Sequence, residues 1–150
     1  MAGGFPPYVK SPHERTSLDA AWIFNIKDGT WTEIEGMNHA LQSHGCVRLP
    51  QGDVMMAGRR YDAYGQWHEF LVEILDQDSL HWTTFETSGS VDTTYTSLHL
   101  VDGQVILLDQ PNSTFYRLEG PTWLPLGGLP GFNDGLNTGA VAVPNSFACP

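Results

Sequence analysis

The 150 residues carry 17 acidic against 7 basic side chains, a formal net charge of -10, with 41% hydrophobic and 11% aromatic residues. Such a length and composition suit one globular domain with a core of its own, and the acidic excess, which repels phosphate backbones and anionic lipid, excludes nucleic acid and membrane as expected partners. No apolar run approaches the roughly 18 residues that span a bilayer, and Met1 to Pro12 lacks a basic start followed by an apolar core, so neither insertion nor export is expected.

In chain order the first feature is Ser11-Pro12-His13-Glu14, with a capping serine, proline at the first helical position and glutamate three residues after the cap. It reads equally as a turn or two of helix or as an irregular part of the long loop from Phe5 to Asp19. Beyond it, short apolar runs alternate with turns. Strands are predicted from Ala21 to Ile26, Thr30 to Glu35, His44 to Leu49, Asp53 to Ala57, Glu69 to Leu75 and His81 to Phe85. They continue from Tyr95 to Leu100, Gln104 to Leu108, Thr114 to Arg117, Thr122 to Leu126 and Thr138 to Val143. The expected fold class is all-β.

These strands recur in register. Trp31, Trp82 and Trp123 each follow a polar strand end by six residues, at Asn25, Asp76 and Arg117, with Phe24, Leu75 and Tyr116 just before it. Leu49-Pro50-Gln51-Gly52-Asp53-Val54 lies over Leu100-Val101-Asp102-Gly103-Gln104-Val105 at an offset of 51. A repeat of 41 to 51 residues made of four short strands falls in the range of propeller blades. One indole at a fixed place in each unit is expected to be buried, filling space between sheets. An immunoglobulin-like sandwich is the structural alternative, but it would not repeat its tryptophan three times.

At these tryptophans and glycines the sequence resembles the kelch repeat family, whose blades carry a diglycine at the end of the second strand and a tryptophan in the fourth. Met1-Ala2-Gly3-Gly4 supplies the diglycine in full, Met56-Ala57-Gly58-Arg59 keeps one glycine, and Leu107-Leu108-Asp109-Gln110 keeps none. The resemblance spans essentially the whole chain and implies a partial kelch-type β-propeller. Its units are a partial blade over 1–43, blades over 44–94 and 95–137, and the start of another over 138–150. On that register Met1 and Pro150 both fall inside second strands. The chain is therefore expected to be a fragment with open blade edges, needing further blades or self-association.

Residues that could carry chemistry read more simply as scaffold. None of the six histidines forms a ligand pair with a carboxylate at strand or helix spacing, and surface or edge roles are expected. Cys46 and Cys149 are too few for a disulfide framework and are expected to be buried thiols. Gly127-Gly128-Leu129-Pro130-Gly131 lacks a phosphate-loop fingerprint and reads as a long inter-blade loop. Asn112-Ser113-Thr114 matches the glycosylation sequon and reads as a polar turn. No metal or cofactor is expected.

Function is then expected on the loops, since the sheets serve as interchangeable scaffolding. The resemblance implies a non-catalytic scaffold whose uneven loop face binds a partner protein or peptide. Arg59, Arg60, Tyr61 and Tyr64, with Trp67 beside them, form the most distinctive cluster on the loop from Arg59 to Gln66. Arginine and aromatic side chains are favoured at interfaces, and an acidic or phosphorylated motif suits the arginine pair. Lys10, His13 and Arg15 on the loop from Phe5 to Asp19 are further candidates. The family also includes enzymes, so the alternative is part of a copper-dependent sugar oxidase or a sugar epimerase. Cys46, Tyr95 and His99 are residue types a radical-copper centre uses, although their spacing does not bring them together.

Overall fold

A computed structural model describes residues 18–61, 66–89, 91, 93 and 95–128. Among these residues the secondary structure is β-strand and turn without helix, in three antiparallel sheets. The first sheet pairs β1 (Ala21–Asn25) with β2 (Thr30–Ile34). The second is a meander of β3 (Gln42–Arg48), β4 (Val54–Tyr61), β5 (Trp67–Leu75) and β6 (Trp82–Thr84). The third repeats that order with β7 (Thr96–Val101), β8 (Gln104–Asp109), β9 (Thr114–Glu119) and β10 (Thr122–Gly128). The strand expected from Thr138 to Val143, the motif Ser11 to Glu14 and Cys149 lie outside the described residues.

The three sheets stack face to face, and β4 shows why its sequence is apolar on both sides. Met55 and Ala57 join Leu98, Leu107 and Trp123 in a core between the second and third sheets. Met56, one residue out of phase, joins Ala21, Met37, Leu41 and Trp82 in a core between the first and second. Successive side chains of a strand point to opposite faces, so a strand covered on both sides must be apolar at consecutive positions. The inner strands β3 and β7 meet closely. A Cβ added at Gly45 would stand 2.5 Å from the backbone nitrogen of Leu98, an approach only glycine allows.

The tryptophans follow the stacking direction. Trp82 points from β6 into the core shared with the first sheet, and Trp123 from β10 into the core shared with the second; they are 7% and 2% exposed. Trp31 is 55% exposed, which corrects the expectation of one buried indole per unit. It lies opposite Phe24, their ring centroids 4.8 Å apart, on the face of the first sheet turned away from the second.

The repeat is less uniform than its spacing suggests. Cys46 lies opposite Met56 in the second sheet, but it is Leu98 that lies opposite Leu107 in the third. The second strands keep the offset of 51 while the first strands sit at 52. The cause is the turn. Leu49 and Asp53 close a three-residue turn with Gly52 at φ 111°, whereas Asp102 and Gly103, at φ 49° and 77°, form a two-residue turn. A one-residue change of register turns every side chain of a strand to the other face. The first strand of the second sheet therefore shows His44 and Cys46 to its preceding neighbour where the third sheet shows Thr96 and Leu98.

A similar difference affects the third unit's tryptophan. Trp31 and Trp82 lie opposite Phe24 and Leu75, seven positions earlier, but Trp123 lies opposite Leu118, five positions earlier. Arg117 is consequently inside β9 and not at a strand end, because Gly120 and Pro121 make a tighter turn. The glycines Gly127 and Gly128 belong to β10 and not to a loop.

Candidate functional site

The hairpin of β4 and β5 carries the arginine and aromatic residues singled out above. Arg59, Arg60 and Tyr61 are strand residues at the end of β4, and Trp67 opens β5, so the expected loop from Arg59 to Gln66 shrinks to the residues between Tyr61 and Trp67. Between β8 and β9 the corresponding connection runs from Gln110 to Ser113. The loop face is accordingly more even at these two hairpins than the sequence suggested. Arg59 lies opposite Phe70, which packs toward the third sheet. The ladder shifts register between Arg59 and Tyr61, so Arg60 falls in a β-bulge at the end of the hairpin, where strand alternation does not fix its face. Both arginines are half-buried, and the Arg60 Nε is buried without a hydrogen-bond partner among the described residues, as is the side-chain amide of Gln42. The side chains of Tyr61 and Trp67, and the residues Tyr64, Lys10, His13 and Arg15, lie outside the described set.

A second feature occupies the junction of the first two sheets. There a cavity of about 430 Å³ opens between β1 and the inner strands of the second sheet. Ala21 and Ile23 contribute from β1, and His44, Cys46, Val54 and Met56 from β3 and β4. Ile34 of β2, Leu75 of β5 and Trp82 of β6 complete its wall. Cys46 is an exposed free thiol on this wall, which corrects the expectation of a buried one.

Polar chemistry concentrates on Glu73, fully buried on the first-sheet side of β5. Asn38 Nδ2 donates to its Oε2 at 3.0 Å, Thr84 Oγ1 donates to its Oε1 at 3.2 Å, and the His39 Nδ1 lies 2.6 Å from Oε1. Asn38 and His39 belong to the connection from β2 to β3, so the carboxylate pins that crossing segment against the second sheet. A buried carboxylate is tolerated when it is hydrogen-bonded on all sides. The sequence signal was available: Glu73 is the one charged position within Phe70-Leu71-Val72-Glu73-Ile74-Leu75.

Elsewhere, ionisable groups serve turns. Asp76 Oδ1 accepts from the Ser79 backbone at 2.7 Å and its hydroxyl at 2.8 Å, and these bonds hold its carboxyl below the usual range. Asp28 is lowered likewise by the side chain and backbone of Thr30. Asn112 Nδ2 donates to Asp109 Oδ2 at 2.7 Å, placing the sequon in the turn between β8 and β9. His99 is lowered by burial. Among the described residues no three histidine, cysteine or acidic side chains gather as a metal site. Cys46 faces the first sheet, whereas His99, opposite Ile106, lies on the far face of the third.

No family model matches the chain, and no curated protein matches it.

Proposed function

We propose that the stacked sheets are consecutive blades of a kelch-type β-propeller, two four-stranded blades flanked by partial ones, and that the protein is a non-catalytic scaffold that binds a partner protein or peptide. The observation that carries this reading is the stacking itself. Two meanders of equal strand order pack face to face, each sending a tryptophan from its outermost strand into the sheet before it, while the innermost strands β3 and β7 meet. Radial repetition of four-stranded sheets is the principle of a propeller, and its connecting loops are free to recognise partners.

The binding surface we assign is the end of the β4–β5 hairpin, with Arg59, Arg60, Tyr61, Tyr64 and Trp67. Lys10, His13 and Arg15 are assigned to the same role from sequence. The partner chemistry that suits the arginines is an acidic or phosphorylated segment. Fluorescence polarisation with labelled acidic and phosphoserine peptides tests this. Binding that falls about tenfold or more in Arg59→Ala plus Arg60→Ala, a loss of about 1.4 kcal/mol, supports the site. Equal binding by wild type and the double variant removes it.

A further inference from the structure

We propose that His44, Cys46 and Met56 form a binding site for a soft monovalent metal ion, Cu(I), on the wall of the cavity between β1 and the second sheet. The proposal stands on these three side chains and does not depend on the blade reading or on the arginine site.

The three donors share one face of the second sheet. Cys46 in β3 and Met56 in β4 lie directly opposite each other in the ladder, which sets their Cβ atoms about 4.5–5.5 Å apart. His44 stands two residues before Cys46, and all three side chains line the cavity. A Cβ added at Gly58 would stand 2.7 Å from the His44 Cβ, so the histidine lies over a position of β4, two residues beyond Met56, that carries no side chain. Methionine is unbranched with three rotatable bonds, so its thioether can close on the thiol and the imidazole without moving the backbone.

Packing does not explain the choice of residues. At the corresponding positions of the third sheet stand Thr96, Leu98 and Leu107: the leucines fill the core toward the second sheet, and the threonine ties β7 to β3. The second sheet carries a metal-ligating side chain at each of the three.

The donor set selects the ion. Thiolate and thioether sulfur favour Cu(I), and imidazole accommodates it. The other described residues that line the cavity are aliphatic or aromatic, with no carboxylate to suit a hard cation. On binding, the Cys46 thiol releases its proton to solvent. Thiolate and Cu(I) together carry no net charge, so the complex can sit among apolar side chains. Cys46 is exposed, which gives the ion its way in, and the net charge of -10 favours a cation.

The full chain carrying Cys149→Ser is titrated anaerobically with Cu(I) in competition with bicinchoninate, whose colour reports the copper it keeps. The protein should retain one Cu(I) per chain, and X-ray absorption should show two sulfur neighbours and one nitrogen. Cys46→Ser should abolish retention. Met56→Leu, which conserves side-chain volume, and His44→Gln should each weaken binding by about tenfold or more, since loss of even an outer-sphere partner does so at metal sites. Met56→Leu should also lose one sulfur neighbour.

No retention of Cu(I) by the Cys149→Ser chain overturns the proposal. So does undiminished retention by Met56→Leu and His44→Gln, which would mark binding to a lone thiol. Retention of Zn(II) as tight as that of Cu(I) in parallel competition would assign a different ion and overturn it too. Where Met56→Leu lacks native fluorescence, the parent chain decides: two sulfur neighbours sustain the site and a single one removes it.

Discussion

The backbone amide of Gly45 in β3 donates to the hydroxyl of Thr96 in β7 at 3.2 Å, and the same hydroxyl donates to the Ala57 carbonyl of β4 at 3.0 Å. One buried side chain thus ties the inner strands of two sheets that share no ladder. Thr96→Val keeps the shape and leaves the Gly45 amide and the Ala57 carbonyl short of a partner. It should cost about 1–3 kcal/mol in urea unfolding, with an unchanged denaturant slope.

Gly45→Ala tests the same contact by volume. The added Cβ would stand 2.8 Å from Ser97 Cα and 2.5 Å from Leu98 N, both backbone atoms that no rotamer change can move. The inner strands must separate, and a loss of about 1–3 kcal/mol is expected by thermal unfolding. Gly103→Ala, where nothing lies within 4 Å but φ is 77°, should act through local strain in the turn instead.

The three repeat tryptophans should respond unequally. Trp123→Ala should cost about 3–5 kcal/mol because the indole is enclosed by the second sheet and meets Phe70 edge-on at 6.2 Å. Trp82→Phe should lose the hydrogen bond its Nε1 donates to the Glu35 carbonyl at 2.9 Å, about 0.5–1.5 kcal/mol in addition to lost packing. Trp31→Ala should leave the unfolding midpoint almost unchanged and remove a solvent-exposed, red-shifted part of the fluorescence.

Glu73→Ala should release the connection between β2 and β3. Asn38 and His39 would lose their common acceptor, at a cost of about 1–3 kcal/mol. Hydrogen exchange should rise selectively at residues 37–41. Glu73→Gln, which keeps an oxygen acceptor, should lose less; equal losses for both variants would contradict the pinning role.

Stability should decline on mild acidification through His99. Burial lowers its folded pKa below the ordinary 6.5, so the unfolded chain takes up the proton first. Stability is full above that value and falls as pH drops toward the lowered folded value. In His99→Gln the decline across this window should be smaller, measured as unfolding midpoint against pH. Asp76 and Asp28 act in a lower window: their depressed pKa values stabilise the fold at neutral pH, and that contribution is lost below the ordinary carboxylate value of 3.8.

The strands of the fold were legible in the sequence, and their faces were not. Alternation and turn residues place the ten described strands within a few residues, because β-strands in a stacked sheet must be apolar where covered. Which face each residue takes depends on the closing turn, and Pro50-Gln51-Gly52 differs from Asp102-Gly103 by a single residue within an otherwise equal spacing. Trp31 repeats the sequence context of Trp82, but burial is a property of the neighbouring sheet and cannot be read from the residues around the indole. At the site, Glu73 was missed, although it is the one charge within Phe70-Leu71-Val72-Glu73-Ile74-Leu75. The cavity did not stand out, because its wall is assembled from strands of two sheets and corresponds to no motif.

The unequal turns carry a consequence for recombination. Units of a repeat protein are often exchanged as modules, on the assumption that equivalent positions meet equivalent neighbours. Here a hairpin of β3 and β4 moved into the place of β7 and β8 would present His44 and Cys46 where the adjoining sheet is shaped for Thr96 and Leu98. Deleting one residue from the turn at Pro50-Gln51-Gly52 would have to accompany the exchange. Homology at the level of spacing therefore understates how individually each hairpin is fitted to its place in the stack.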